Sequence, residues 1–245
     1  MIKAGDLIYK VMRLEHLESS IREGYLYFHR VDSYNGENAD SSDGEQPILD
    51  VQFNRDIKFA QDRDFSLYDY YSRARNRSYA FCSSTKNSDF IWKNYGNDSL
   101  NGKVCLEFDG VKLINKLKEN FNLNITSFPI NLWFFMNYGL VQYVDRKLYN
   151  PTKFNPPNNV EYLFAKDEEK YKEENEFRVT ISCLGVDEIE NFLFESGLKT
   201  EFNFIDAINS NIITKIIYEH YNEYLLLNNF LTKNNINPRD ILFAR

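Results

Sequence analysis

Cysteine is scarce in this 245-residue chain, and so is histidine: three of each, Cys82, Cys105 and Cys183, and His16, His29 and His220. An odd number of cysteines without a signal-like start argues against a disulfide framework and for a reducing, cytoplasmic location. Each cysteine lies in an apolar run and reads as a small buried hydrophobe. No His–His or His–Cys pair has metal-ligand spacing, so no metal site is expected. A basic surplus is also missing, since the net charge is −7. That excludes a globally basic nucleic-acid clamp. The run Arg73, Arg75 and Arg77 could form a local basic patch, but its simplest reading is a solvated helix face.

Long apolar runs are absent as well. The most apolar stretch, 130–144, is interrupted by Asn131, Asn137 and Gln142 and is too short and polar to span a bilayer. The start, Met1-Ile2-Lys3-Ala4-Gly5-Asp6, has no apolar core of signal-peptide length. There is no G-x-G-x-x-G, Walker A lysine, H-E-x-x-H or G-x-S-x-G, which disfavours dinucleotide dehydrogenases, P-loop NTPases, zincins and α/β-hydrolases. No internal repeat or domain-dividing linker is visible, so one domain over 1–245 is expected.

Core-forming material, by contrast, is plentiful: 43% of residues are hydrophobic and 16% aromatic. Strands are expected at 7–11, 25–29, 78–84, 104–108, 132–135, 140–144, 176–182, 202–205, 212–218 and 241–244. Helices are expected at 14–21 with Gly24 as C-cap, 55–75, 90–95, 111–120, 161–173 and 225–231. In the second of these, Ile57, Phe59, Phe65, Leu67 and Tyr71 are the candidate buried positions. Residues 31–47 and the proline- and asparagine-rich 150–159 read as loops. Strands and helices mix without strict alternation, which gives an α+β class with a largely antiparallel split sheet and short helices.

The sharpest chemical signal is Glu174-Asn175-Glu176-Phe177-Arg178-Val179-Thr180-Ile181. Phe177, Val179 and Ile181 alternate, so on a strand Glu174, Glu176 and Arg178 share the opposite, exposed face, with successive α-carbons about 7 Å apart. Two carboxylates beside a guanidinium suit glycosidic cleavage through an oxocarbenium-like transition state: one carboxylate steadies the sugar's positive charge, the other orients or deprotonates the attacking group. The structural alternative is a charged helix end followed by a surface ion pair. Ser83, in Phe81-Cys82-Ser83-Ser84-Thr85, could orient an amide; a strand-end turn explains it equally. Trp92 and Tyr95 could stack on a planar ligand or pack a core. Lys10, Arg13, His29 and Arg30 could clamp a pyrophosphate or lie on solvated surface.

Several short stretches recur together: Tyr9-Lys10, Leu26-Tyr27-Phe28, Ala80-Phe81-Cys82-Ser83, Ile91-Trp92-Lys93-Asn94-Tyr95, Gly102 through Phe108, Val141-Gln142-Tyr143, and Tyr171 through Arg178. In order and spacing they resemble a widespread bacterial family whose hallmarks are Tyr-Lys, Trp-x-x-Tyr and Glu-x-Glu-aromatic-Arg. That family is itself similar to the ADP-ribosyltransferase fold. Asn35-Gly36-Glu37 departs from the family's Asn-Asp-Pro loop, Met12-Arg13 shifts its arginine, and Phe177 replaces its tryptophan. The resemblance implies NAD as substrate, with Lys10 or Arg13 on its phosphates, Ser83 at the nicotinamide, Glu176 as catalytic glutamate and Glu174 positioning the acceptor. It also implies a toxin or phage-defence setting, with a nucleic-acid or protein acceptor and an antitoxin partner. Two other classes stay open. One is a metal-dependent nuclease or hydrolase. The other is a non-catalytic interaction module with an exposed aromatic patch at Trp133, Phe134 and Phe135.

Overall fold

The computed structural model describes residues 3–34, 40–123, 134–146, 161–183 and 195–245. Along the chain run β1 (Leu7–Arg13), α1 (Leu14–Glu23), β2 (Tyr25–Arg30), α2 (Ile48–Asp56), α3 (Leu67–Asn76), β3 (Ser78–Ser84), α4 (Asp89–Asn94), β4 (Lys103–Asp109) and α5 (Gly110–Leu123). There follow β5 (Phe134–Leu140), β6 (Gln142–Val144), β7 (Ala165–Asp167), α6 (Glu168–Tyr171), β8 (Glu176–Cys183), β9 (Gly197–Glu201), α7 (Phe204–Asn209), β10 (Ile213–Tyr218), α8 (Tyr221–Lys233), α9 (Pro238–Ile241) and β11 (Leu242–Ala244). The mixed α and β fold, with a mostly antiparallel sheet and short helices, is the class expected from the sequence.

The chain forms two compact units, each assembled from separated segments. The first comprises Met1–Tyr27, Cys82–Ser127 and Lys199–Arg245; the second comprises Phe28–Phe81 and Phe128–Leu198.

In the first unit β1 pairs antiparallel with β4 from Leu7↔Asp109 to Arg13↔Lys103, β4 pairs antiparallel with β10, and β10 pairs parallel with β11. One face of this sheet carries Val11, Cys105 and Ile217, which close on Ile91 and Trp92 of α4. Burial of each such side chain contributes about 1.5–3 kcal/mol. Burial and the nearby Glu107 charge push the Cys105 thiol up to about 12, which suits the inert packing role expected of it.

The second unit orders its strands β2, β3, β8, β5. All of β8 is buried, flanked by β3 on one side and by β5 in antiparallel register from Phe134↔Cys183 to Leu140↔Phe177 on the other. A separate parallel pair, β6 with β7, sets Tyr143 opposite Lys166.

Four local expectations are corrected. The helix expected at 55–75 is helical only at 55–56, the end of α2, and from Leu67 on, where Ser66 starts α3. Its hydroxyl accepts from the Asp69 N–H, and the Asp69 carboxylate accepts from the Ser66 N–H at 2.8 Å. Leu67 and Tyr71 are buried as expected, while Ile57 is exposed. The two strands expected around 132–144 are one longer strand, β5, and the short β6, with Trp133 outside the described residues. The helix expected at 161–173 is a 3-10 turn, β7, α6 and a second 3-10 turn. At 202–205 the expected strand gives way to α7, because the Asn203 side chain accepts from the Ile205 and Asp206 N–H groups and caps a helix there. The loop expected at 150–159 lies outside the described residues. No helix among them is long and apolar enough to cross a membrane.

Candidate functional site in the second unit

Strand β8 alternates as its sequence requires. Phe177, Val179, Ile181 and Cys183 take one face, and Glu176, Arg178, Thr180 and Ser182 take the other. The expectation that the polar face is exposed is overturned: Glu176 is 4% exposed and Arg178 0%. A strand flanked on both edges and covered on both faces has no solvent side for the alternation to mark.

Glu174 is not on the strand either. It ends a 3-10 turn, and Asn175 (φ 46°) reverses the backbone before β8 begins. Asn tolerates this left-handed conformation at modest cost. The turn still brings the two carboxylates together, on Lys166. The Lys166 ammonium lies 2.8 Å from Glu174 Oε2 and 2.8 Å from Glu176 Oε2. Lys166 is presented by β7, with the Tyr171 ring 5.0 Å from its Nζ. Tyr143, opposite it on β6, fixes the start of β8, its hydroxyl oxygen accepting the Glu176 N–H at 2.7 Å.

Arg178 completes the cluster. Its Nε donates to Glu176 Oε1 at 2.6 Å and its Nη2 to Glu176 Oε2 at 3.1 Å. The outer nitrogens also fork onto Asp43, with Nη1 to Oδ1 at 2.9 Å and Nη2 to Oδ2 at 2.8 Å, and Nη1 donates again to the Leu163 carbonyl at 2.6 Å. A guanidinium has five N–H donors, and all five are used. Arg178, also read from the sequence as a contact for the cofactor, thus has its donors engaged in organising Glu176 and Asp43.

Asp43 comes from a tight turn. The Asp40 carboxylate accepts from the Ser42 N–H and hydroxyl, and the Asp43 N–H donates to the Asp40 carbonyl. Gly44 (φ +71°) is required: a Cβ there would lie 2.9 Å from Leu163 Cδ2. Two arginines clamp the turn from outside. Arg75 donates to the Asp43 and Ser41 carbonyls, and Arg146 donates to the Ser42 hydroxyl and the Glu45 carbonyl. The expected solvated face of Arg73, Arg75 and Arg77 is thus put to structural use. Arg75 holds this turn, Arg77 is buried, and Arg73 lies over the Phe65 ring.

The cluster sets three carboxylates (Asp43, Glu174, Glu176) against two cations (Lys166, Arg178), a surplus of one negative charge. Burial alone would raise the Glu176 carboxyl. The charges and hydrogen bonds of Arg178 and Lys166 outweigh it and hold Glu176 well below the usual carboxylate range. Burial pulls the Lys166 ammonium down, but Glu176, Asp43 and Glu174 more than reverse this, and it stays well above its ordinary value.

The other sequence-derived candidates lie as follows. In the second unit His29 Nδ1 is 3.0 Å from the Arg30 carbonyl oxygen, and its ring stacks on Tyr34. In the first unit Lys10 Nζ donates to the Cys82 carbonyl at 2.6 Å, Arg13 pairs with Asp98, and Ser83 is buried near the end of β3. Trp92 is core: its indole N–H donates to Asn87 at 2.6 Å, Arg245 lies over its ring, and Tyr95 packs on the same cluster. Sequence reading missed Asp43 and Lys166. Asp40-Ser41-Ser42-Asp43-Gly44 carried a turn signal, whereas Lys166 had none within its charged surroundings. Among the described residues no group of three or more His, Cys, Asp or Glu side chains could hold a metal ion.

No protein-family model matches the chain, and no curated protein does. The solved structures that the chain matches include two of DarT from Thermus sp. 2.9. One, in complex with ADP-ribosylated ssDNA, is 10% identical with a TM-score of 0.39; the match covers 100% of this chain and 98% of that one. The other, in complex with NAD+, is 9% identical with a TM-score of 0.38 and the same coverage. Those scores are too low to carry either fold or function across, so the functional reading rests on the cluster and the sequence.

Proposed function

We propose that the chain is an NAD-dependent ADP-ribosyltransferase acting on a nucleic-acid or protein acceptor, with Glu176 as its catalytic carboxylate. The observation that carries the reading is a glutamate at the head of β8 kept ionised by two buried cations. In ADP-ribosyl transfer the bond between ribose C1 and the nicotinamide nitrogen breaks, and its electron pair leaves with nicotinamide. The sugar passes through an oxocarbenium-like state until an acceptor nucleophile bonds to C1 and gives up its proton. A fixed anion stabilises that cation most effectively in a water-poor setting. Glu174, sharing Lys166 with Glu176, is the residue proposed to orient the acceptor. Arg178 and Lys166 act through Glu176 and are positioning residues. A toxin or phage-defence role, with an antitoxin partner, belongs to this proposal through the sequence resemblance alone.

A second reading is favoured by a specific observation: the carboxylates are buried and matched to cations, as in a structural ion network, which suits a non-catalytic interaction module. Nicotinamide release from NAD, with nucleic acid and cell extract offered as acceptors, separates the two. Release by wild type and none by folded Glu176→Gln supports the transferase. Absence of release by folded wild type under every condition supports the module.

A further inference from the structure

Every charged member of the β8 cluster is buried, whereas Tyr143 and Tyr171, which stand against it, are half-buried. Tyr143 on β6 pairs with Lys166 on β7, the lysine that bridges the two glutamates. A phenol oxygen can accept and donate at once. That of Tyr143 accepts the Glu176 N–H at 2.7 Å, and among the described residues no group accepts its proton. The proton is retained at neutral pH. Burial, and then the charges of Glu176 and Glu174, raise the phenol above its ordinary value, and the opposing pulls of the Glu176 N–H and Lys166 do not reverse this.

Glu176 offers the complementary group. An ionised carboxylate has about four lone-pair sites. Glu176 Oε2 receives Arg178 Nη2 and Lys166, while Oε1 receives Arg178 Nε alone. The head of β8 thus presents one hydroxyl proton to give and one carboxylate oxygen with room for a further donor. A neutral hydroxyl, which accepts and donates, matches both. A phosphate is disfavoured twice: it brings no proton to donate, and its charge opposes the cluster's surplus of one negative charge.

We propose that Tyr143 is a substrate-binding residue, donating to a hydroxyl oxygen of the ribose whose C1 reacts, and that this hydroxyl donates in turn to Glu176. The inference rests on the transferase reading above and names the part of NAD that meets the head of β8. Bonds in such a chain reinforce one another, and the bond onto the carboxylate strengthens as positive charge grows on the sugar.

The test is nicotinamide release by wild type and Tyr143→Phe, measured as kcat/KM on NAD and on its analogues 2′-deoxy and 3′-deoxy in the nicotinamide ribose. The substitution removes a single oxygen from a half-buried ring, and circular dichroism checks that the variant is folded. Comparing the two proteins on one substrate cancels that substrate's own reactivity. The expected loss in Tyr143→Phe is about 10-fold with NAD and with one analogue, and close to none with the analogue lacking the contacted hydroxyl. A residue that only steadied the Glu176 backbone would lose equally on all three substrates. Such an equal loss, or no loss with NAD, overturns the inference and leaves the transferase reading standing. Absence of release by wild type overturns that reading and this inference with it.

Discussion

Each unit buries a glutamate on a strand, and the two are handled differently. Glu107, on β4 of the first unit, accepts from the Thr214 hydroxyl at 2.8 Å and pairs with Lys215 at 3.0 Å, and that lysine is 39% exposed. Glu176, on β8 of the second, meets Arg178 and Lys166, both buried, and behind them stand two more buried carboxylates. The first arrangement is an ion pair with one partner open to water, worth little and easily replaced. In the second, neither cation can be removed without leaving buried carboxylates unmatched. The chain therefore concentrates its electrostatic cost in the second unit, where the chemistry is proposed.

The largest effect expected is on Arg178. Arg178→Ala leaves three carboxylates facing one lysine and should destabilise the chain by about 3–5 kcal/mol, whereas Lys215→Ala should cost no more than about 1 kcal/mol. Urea denaturation of both variants measures the contrast, and equal losses would erase it. Next comes the turn that delivers Asp43. Gly44→Ala places a methyl 2.9 Å from Leu163 at a left-handed backbone position and should cost about 1–3 kcal/mol. Gly5→Ala shares the left-handed strain but meets nothing within 4 Å, so its melting temperature should fall less. Glu176→Gln should be milder on stability, because it leaves Asp43 and Glu174 to balance Arg178 and Lys166. A loss on the order of 1–2 kcal/mol is expected.

The smallest effect is a pH dependence with a fixed sign. Glu176 has its folded-state pKa depressed, so its stabilising contribution is present above the unfolded carboxylate value of about 4.3 and is lost as pH falls toward the folded value. Lys166 has its folded-state pKa raised, so its contribution is present below about 10.4 and is lost as pH rises through the folded value. Stability measured against pH should decline below roughly pH 4, and the decline should be shallower in Glu176→Gln. An equal slope in the two proteins would place the acid sensitivity on other carboxylates.

Much of the fold was legible because local signals agreed with it. The Gly24 cap, the alternation of β8 and the run of β4 each had a pattern that tertiary context left in place. The site was half legible. Glu174, Glu176 and Arg178 were correctly grouped, but period two says only which residues share a face, not whether that face meets water. Burial of the polar face depends on the turn at 40–45, which lies far from β8 in sequence, and on β7, which lies close to it; neither carries a pattern pointing to β8. Ile57 was expected among the buried positions and is exposed. The helix before it, α2, is set by the hydrogen bonds of Asp50 and Asn54 to Tyr162, a partner no local pattern names.

Turnover of NAD by wild type, Glu176→Gln and Glu107→Gln, each shown folded by circular dichroism and assayed for nicotinamide release side by side, probes the assignment of Glu176 most directly. The expected result is release by wild type and Glu107→Gln and none by Glu176→Gln. Undiminished release by Glu176→Gln, or its loss only in Glu107→Gln, would contradict the assignment.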